Sequence, residues 1–294
     1  MFTAQQKGIL WYLVIFVFSY ILFFAIISVL LRIVMTKQWV NTEKPNQLKH
    51  EGLIVIPEFI TKDDIQKIKA HIENDHVLTA KQHIMQSPAI LHKIKRLLGE
   101  DYVFQDYIFL IKTSQFHTCH RDYNGDFFNE TQQHPSYTIL IYLEDMNKCL
   151  DVIPKSHKSK DEYNFNLTDY TQTVHCKNGD AILFNANLIH NGSINEENSM
   201  RIQMKISHKS DHDVLKFYND YNKVLDANNQ TSTAFKHIQK HISCQFPIIS
   251  YYAKQYDYNA KSDAASSSSV EPPDSGSGLF SSFFADLHNI TEST

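Results

Sequence analysis

Between Gly8 and Leu31 the chain reads GILWYLVIFVFSYILFFAIISVLL, 24 residues without a charge. A helix of that length can cross a bilayer with some tilt. Being apolar all round, it reads as a membrane span rather than the one-sided helix of a soluble domain. It has neither the short apolar core nor the small-x-small cleavage site of a signal peptide. Trp11 and Tyr12 at one end, and Trp39 beyond the other, suit interfacial anchoring. The expectation is one transmembrane helix over residues 8–31 and a single-pass membrane protein. Lys7 and the terminal amine flank one side; Arg32, Lys37, Lys44 and Lys49 flank the other, which puts the main domain on the cytosolic side. Five Asn-x-Ser/Thr triplets, at Asn129, Asn166, Asn191, Asn229 and Asn289, would suit a lumenal domain instead. In so Asn-rich a chain such triplets arise by chance, and they weigh less than the charges.

The whole 294-residue chain is 43% hydrophobic and 20% charged, enough to bury a sizeable core. A net charge of −4 with no long basic block argues against nucleic acid as a partner. Cys119, Cys149, Cys176 and Cys244 are scattered without CxxC spacing and read as reduced, non-structural thiols. A polar connector occupies residues 32–50, a folded domain 51–258, and a low-complexity tail 259–294. The tail's SDAASSSSVEPPDSGSG reads as disordered, and the LFSSFFADL after it as unstructured chain or a protein-docking motif.

Within the domain, GLIVIPEF (52–59) reads as a buried strand ended by Pro57. TKDDIQKIKAHIEN follows as a helix with Thr61 as N-cap and Asp64 three residues later. SPAILHKIKRLLGE is a second helix, with Pro88 in its first turn and Gly99 as its stop. From Asp101 to Ser207 the texture is that of strands: 102–112, 136–145, AILFNANLIH after the Asn178–Asp180 turn, and SMRIQMKISH. In the last of these, Ile202, Met204 and Ile206 alternate with Arg201, Gln203 and Lys205, one packed face against one polar face. Beyond residue 210, DVLKFYNDYNKVLD and STAFKHIQKHISCQF read as helices. The fold class is mainly β with flanking helices, a double-stranded β-helix or jelly roll, preceded by the transmembrane helix.

The chemistry concentrates in QFHTCHRDYNGD, residues 115–126. On an extended chain His120 and Asp122 share a face, while His117 and Cys119 face away as packed or exposed strand residues. One histidine and one carboxylate on a face are two-thirds of the facial triad of non-haem iron oxygenases. With 16 histidines in the chain such a triplet alone means little; His71-Ile72-Glu73 is another, on a helix. Two later residues add weight. His190 ends a distant strand, and Arg201 follows eleven residues on, a cation suited to bidentate capture of a carboxylate.

These motifs resemble those of the phytanoyl-CoA dioxygenase-like branch of the Fe(II)/2-oxoglutarate-dependent oxygenases, over about residues 50–208. GLIVIPEFITKDDIQKI is similar to the family's opening strand and helix, HRD to its metal motif, LDVIPKSHK to its L-x-V-I-P-G-S-H segment, and GDAILFNANLIHNGS to the region of the distal histidine. The resemblance implies that His120, Asp122 and His190 bind iron and that Arg201 holds the distal carboxylate of 2-oxoglutarate. It implies further cosubstrate contacts from Gln105 and Thr138, and leaves Lys112 and Ser193 open between that role and a surface or strand-edge one. His157 becomes a loop-supporting residue. Lys155 stands where the family has glycine in PGSH, NKCL replaces NGCL, and Asn191 is inserted after His190; these departures bear on the loop at the entrance and so on substrate choice. The implied activity is hydroxylation of a C–H bond of a small-molecule or lipid-like substrate, with O2 consumed and succinate and CO2 released. Two alternatives stay open: a silent oxygenase-fold binding module, and a hydroxylase of protein side chains of the prolyl type.

Overall fold

The computed structural model describes residues 4–35, 37–40, 46–113, 118–161, 164, 171–193, 199–215, 218–226, 234–247, 250 and 260–262. The apolar N-terminal stretch is one long helix, α1 (Ala4–Met35), whose span Gly8–Arg32 has the length and composition to cross a membrane. After it come β1 (Lys37–Gln38), α2 (Gln47–Glu51) and β2 (Leu53–Ile56), then three helices, α3 (Lys62–Glu73), α4 (Val77–Gln86) and α5 (Pro88–Leu98). The strands that follow are β3 (Tyr102–Phe104), β4 (Tyr107–Ile111), β5 (Tyr137–Tyr142), β6 (Met146–Val152), β7 (Gln172–Cys176), β8 (Ala181–Asn185), β9 (His190–Gly192), β10 (Arg201–His208) and β11 (Tyr221–Leu225). Helix α6 (Ala234–Gln245) and strand β12 (Ala260–Ser262) complete the described elements.

The strands form two sheets. The larger runs β12-β11-β4-β10-β5-β8-β2, with β3 also paired to β10; the smaller runs β1-β7-β6-β9. Period-two alternation decides what each face of the larger sheet meets. Ile108, Leu110, Ile139, Ile141, Leu183, Ile202, Met204 and Ile206 point to the helix side, against Ile65, Ile68, Ile72, Ala80, Ile84, Ile90 and Ile94 of α3–α5. Their neighbours Leu140, Tyr142, Ile182 and Phe184 point the other way and pack against Leu150, Val152 and Val174 of the smaller sheet. The space between the sheets is the interior that holds the site.

Local signals explain several elements. Thr61 Oγ1 accepts from Asp64 N and donates to Asp64 Oδ2 at 2.7 Å, closing the start of α3. The residues 102–112 form two strands, not one: both pair with β10, and between them Tyr107 N bonds Gln105 O at 2.7 Å. Helix α4, absent from the sequence expectation, buries Val77, Ala80 and Ile84 on one side. The expected helix over 213–226 is corrected: Asp220 sits in the left-handed region at φ 60, and Tyr221–Leu225 pair in parallel with β4 as a strand. The β-branched and aromatic content of YNKVL suits a strand between β12 and β4 better than a helix. Trp39 is likewise not an interfacial anchor. Its backbone N–H donates to Thr173 O at 2.8 Å and its side chain, 8% exposed, belongs to the core between the sheets.

Candidate metal centre

His120, Asp122 and His190 converge from two segments, the first two from one and His190 from β9. His120 and His190 are cross-strand neighbours, each backbone N–H bonding the other's carbonyl at 2.9 and 3.0 Å. Asp122 lies two residues on, fixed by its own N–H on Ala186 O at 2.8 Å. Both imidazoles are oriented in the same way: Nδ1 of His120 lies 2.8 Å from Thr118 O and Nδ1 of His190 lies 2.8 Å from Leu188 O. Such a bond fixes the tautomer with hydrogen on Nδ1 and puts the acceptor lone pair on Nε2, the form that ligates a metal. Both Nε2 atoms lie 3.9 Å from the same oxygen, Asp122 Oδ1. Two Nε2 donors and one carboxylate oxygen facing a common point suit a divalent transition metal.

Burial sets the charge states. It pushes the pKa of His190 down to about 3 and lowers that of His120, so both rings stay neutral. Burial alone would raise the Asp122 carboxyl, but the Lys205 ammonium bonded to it outweighs burial and holds the group ionised. Neutral imidazoles and an ionised carboxylate are the forms that bind metal.

The cation expected for a distal carboxylate is on the same inner face. Arg201 is 4% exposed, its Nη1 donates to Ser199 O at 3.1 Å, and it stands in register with Tyr142 across the β10–β5 pair. Among the described residues the buried Tyr142 hydroxyl has no nitrogen or oxygen hydrogen-bond partner. A buried guanidinium beside an unsatisfied hydroxyl fits a ligand carboxylate, which accepts from both.

The other sequence candidates fall out differently. Thr138 bonds Asp122 directly. Among the described residues, Gln105, 7% exposed, has neither side-chain polar atom partnered, and the buried Ser193 hydroxyl has no partner either. Lys112 pairs instead with Asp226 at 3.6 Å. His157 supports its loop, with Nε2 3.2 Å from Lys49 O and its ring against Gly52, where an added Cβ would lie 2.5 Å from Nδ1. Lys155 takes the left-handed conformation that glycine takes easily, at φ 69 and ψ −8, so the loop keeps its turn without the glycine. His117 lies outside the described residues.

Sequence reading missed Lys205, Arg121 and the cysteine pairing. Lys205 is 1% exposed and touches Asp122; the available signal was its place two and four residues after Gln203 and Arg201 on one strand face. The Arg121 guanidinium, lowered to about 10 by burial, donates to Ser156 O and Asn187 O and ties the PKSH loop to the metal loop. Cys119 and Cys244 form a disulfide with Cα atoms 4.9 Å apart, correcting the expectation of reduced thiols at those two positions. It joins α6 to the residue preceding His120, beside a buried Lys240–Asp151 ion pair and a Cys119 N to Ser243 Oγ bond of 2.8 Å. Cys149 and Cys176 are free and buried. Of the Asn-x-Ser/Thr sites, Asn191 is fully buried and Asn129 spends its amide on Tyr123 O and Gly125 O, so neither presents a free side chain to a glycan. Asn166, Asn229 and Asn289 lie outside the described residues.

Among solved structures the chain is similar to EvdMO1, at 17% identity and a TM-score of 0.46 over 55% of this chain and 49% of that one. The match thus spans about half the length of EvdMO1. It is also similar to the non-heme alpha ketoglutarate dependent epimerase SnoN from nogalamycin biosynthesis, at 13% identity and 0.45 over 55% and 80%. A third likeness is HygX from Streptomyces hygroscopicus, crystallised with nickel and 2-oxoglutarate, at 13% identity and 0.40 over 57% and 87%. No curated protein matches the chain in sequence. The phytanoyl-CoA dioxygenase family profile, in contrast, matches residues 56–202, which is half of the 294 residues and includes the HRD motif, the PKSH loop and His190, with Arg201 at its edge. The chain belongs to the phytanoyl-CoA dioxygenase family.

Proposed function

We propose that the protein is a membrane-anchored Fe(II)/2-oxoglutarate-dependent oxygenase that hydroxylates a C–H bond of a lipid-like substrate, with release of succinate and CO2. The observation that carries this reading is the pair of imidazoles turned by backbone carbonyls so that both Nε2 atoms lie 3.9 Å from Asp122 Oδ1. His120, Asp122 and His190 would hold the iron, and Arg201 with Tyr142 the far carboxylate of 2-oxoglutarate. Bound iron and 2-oxoglutarate supply the oxidising chemistry with O2. The chain's part is to bind and orient. The three side chains would hold the ion and leave positions for cosubstrate and O2, and the Phe184 ring, 4.5 Å from that of His190, gives the site an apolar neighbour.

The anchor supports a substrate drawn from the membrane, and its junction supports a fixed rather than a tethered domain. Arg32, at the end of the span, is 3% exposed and donates to Asn164 O at 3.3 Å. β1 follows at once as the edge strand beside β7. The disulfide favours an oxidising compartment for the domain, against the cytosolic side that flanking charges favoured. Protection of the domain from added protease in sealed membranes, lost on detergent addition, together with a Cys119–Cys244 peptide in non-reducing digests, would support the oxidising side; digestion without detergent and reduced Cys244 would restore the cytosolic one.

The function is tested on the full chain in detergent, handled without oxygen. Fe(II) and 2-oxoglutarate added together should give the weak visible charge-transfer band of the chelate. The band should vanish in His190→Ala and require far more 2-oxoglutarate in Arg201→Ala. A folded wild-type chain without the band would reject the oxygenase reading in favour of a silent binding module.

A further inference from the structure

Lys205 is an unusual neighbour for a metal ligand. It is fully buried, and its Nζ lies 2.8 Å from Asp122 Oδ2 and 2.9 Å from Thr138 Oγ1. Thr138, its cross-strand partner on β5, donates its own hydroxyl to that same Asp122 Oδ2. The faces of Tyr107 and Tyr218 cover the ammonium, at 5.5 and 5.8 Å from their ring centroids. Two donors therefore converge on Oδ2, while Oδ1 faces both histidine Nε2 atoms.

An aspartate with both oxygens free can chelate a metal through both; one whose second oxygen already accepts from an ammonium and a hydroxyl has a single oxygen left to give. The ammonium also cancels the carboxylate charge before any metal arrives. A neutral three-ligand site holds a divalent ion less tightly than an anionic one, and the resulting centre attracts an anionic second ligand more strongly.

We propose that Lys205, with Thr138, is a positioning residue that keeps Asp122 a one-oxygen ligand, giving up metal affinity in return for an additional open coordination position and a tighter hold on a dicarboxylate cosubstrate. This rests on reading His120, Asp122 and His190 as the metal centre. The open position matters because a chelating cosubstrate takes two sites, and O2 needs another; a two-oxygen aspartate would fill the one meant for O2.

The test uses the full chain in detergent with Mn(II) as probe, comparing wild type with Lys205→Met, Lys205→Arg and Thr138→Val. Water-proton relaxation reads both the affinity and the number of waters on the bound ion. In wild type we expect about three such waters. Lys205→Met should bind Mn(II) at least about tenfold tighter, carry about one water fewer, and bind 2-oxoglutarate more weakly. Thr138→Val should move the same way by a smaller amount, and Lys205→Arg should restore the wild-type values. Wild-type affinity and water number in both Lys205→Met and Thr138→Val would overturn the proposal and leave Lys205 a space-filling residue. If Lys205→Met does not fold, Thr138→Val and Lys205→Arg decide: an unchanged water number in Thr138→Val overturns it. Should wild type bind no Mn(II), the metal-centre reading itself fails, a result distinct from either.

Discussion

His120, Asp122 and His190 between the sheets, and His134, His208 and Asp211 at the far end of β10, are the same set of two histidines and an aspartate held in two ways. In the first group each imidazole spends Nδ1 on a backbone carbonyl, the rings are tilted at 52°, and both Nε2 atoms face one carboxylate oxygen. In the second the rings lie stacked, 3.8 Å apart at 17°, so their in-plane lone pairs run side by side instead of converging. The carboxylate there is already committed: Asp211 Oδ1 accepts from Gln133 N and Oδ2 from His134 N, each at 2.9 Å. Ser210 Oγ bridges the two Nδ1 atoms at 2.8 and 3.1 Å. One group has lone pairs to offer to an ion; the other has used its acceptors to fasten a loop to the end of a strand. Residue type sets what a cluster could do, and the neighbours of its ligand atoms set what it does.

The largest expected effect tests that contrast at the metal. Equilibrium dialysis with Co(II) should find one ion per chain, and His190→Ala should weaken its binding on the order of a thousandfold or more, since a facial site with two ligands is lost. His208→Ala should leave the stoichiometry and affinity as they were. Two ions per wild-type chain, one of them lost in His208→Ala, would erase the distinction. The next effect lies on the other side of the comparison. Asp211→Asn puts an NH2 group where two backbone N–H donors expect a carboxylate, and should cost about 2–3 kcal/mol of stability. Metal binding should not change, and a thermal melt read beside the dialysis separates the two.

Much of the first site was readable in the chain because its logic is local or periodic. His120 and Asp122 sit two apart, and Arg201 lies near His190 in sequence. Alternation in β10 correctly split Ile202, Met204 and Ile206 from Arg201, Gln203 and Lys205. What alternation could not say is where the polar face looks. The same pattern describes a strand with one side in water and a strand with one side in an enclosed polar interior, and only the second sheet, assembled from distant strands, makes Lys205 a neighbour of Asp122. Cys119 and Cys244 escaped for the same reason: 125 residues separate them, and nothing in their spacing marks the pair. The strand Tyr221–Leu225 was misread because five residues hold too few turns to separate period two from period 3.6; its partner β4 decided the matter. Trp39 looked like a membrane anchor by position and became core by pairing of the strand before it.

The smallest effect separates the two groups by pH. In the fold, burial holds His190 neutral down to a pKa of about 3, whereas in the unfolded chain a histidine takes up its proton near 6.5. The unfolded state therefore binds more protons than the folded one through this interval, and stability falls as the pH drops below 6.5. Asp122 adds no slope there, because it is ionised in both states above pH 5. The metal-free protein, kept so with chelator, should lose on the order of 1 kcal/mol between pH 7.5 and 5.5 through His190 alone. His190→Ala should flatten that part of the slope, with the share due to His120 retained, since burial lowers its pKa as well. Equal slopes in His190→Ala and wild type would mean that the buried imidazole is solvated enough to titrate normally, and the contrast between an enclosed ligand set and an open clamp would have to be given up.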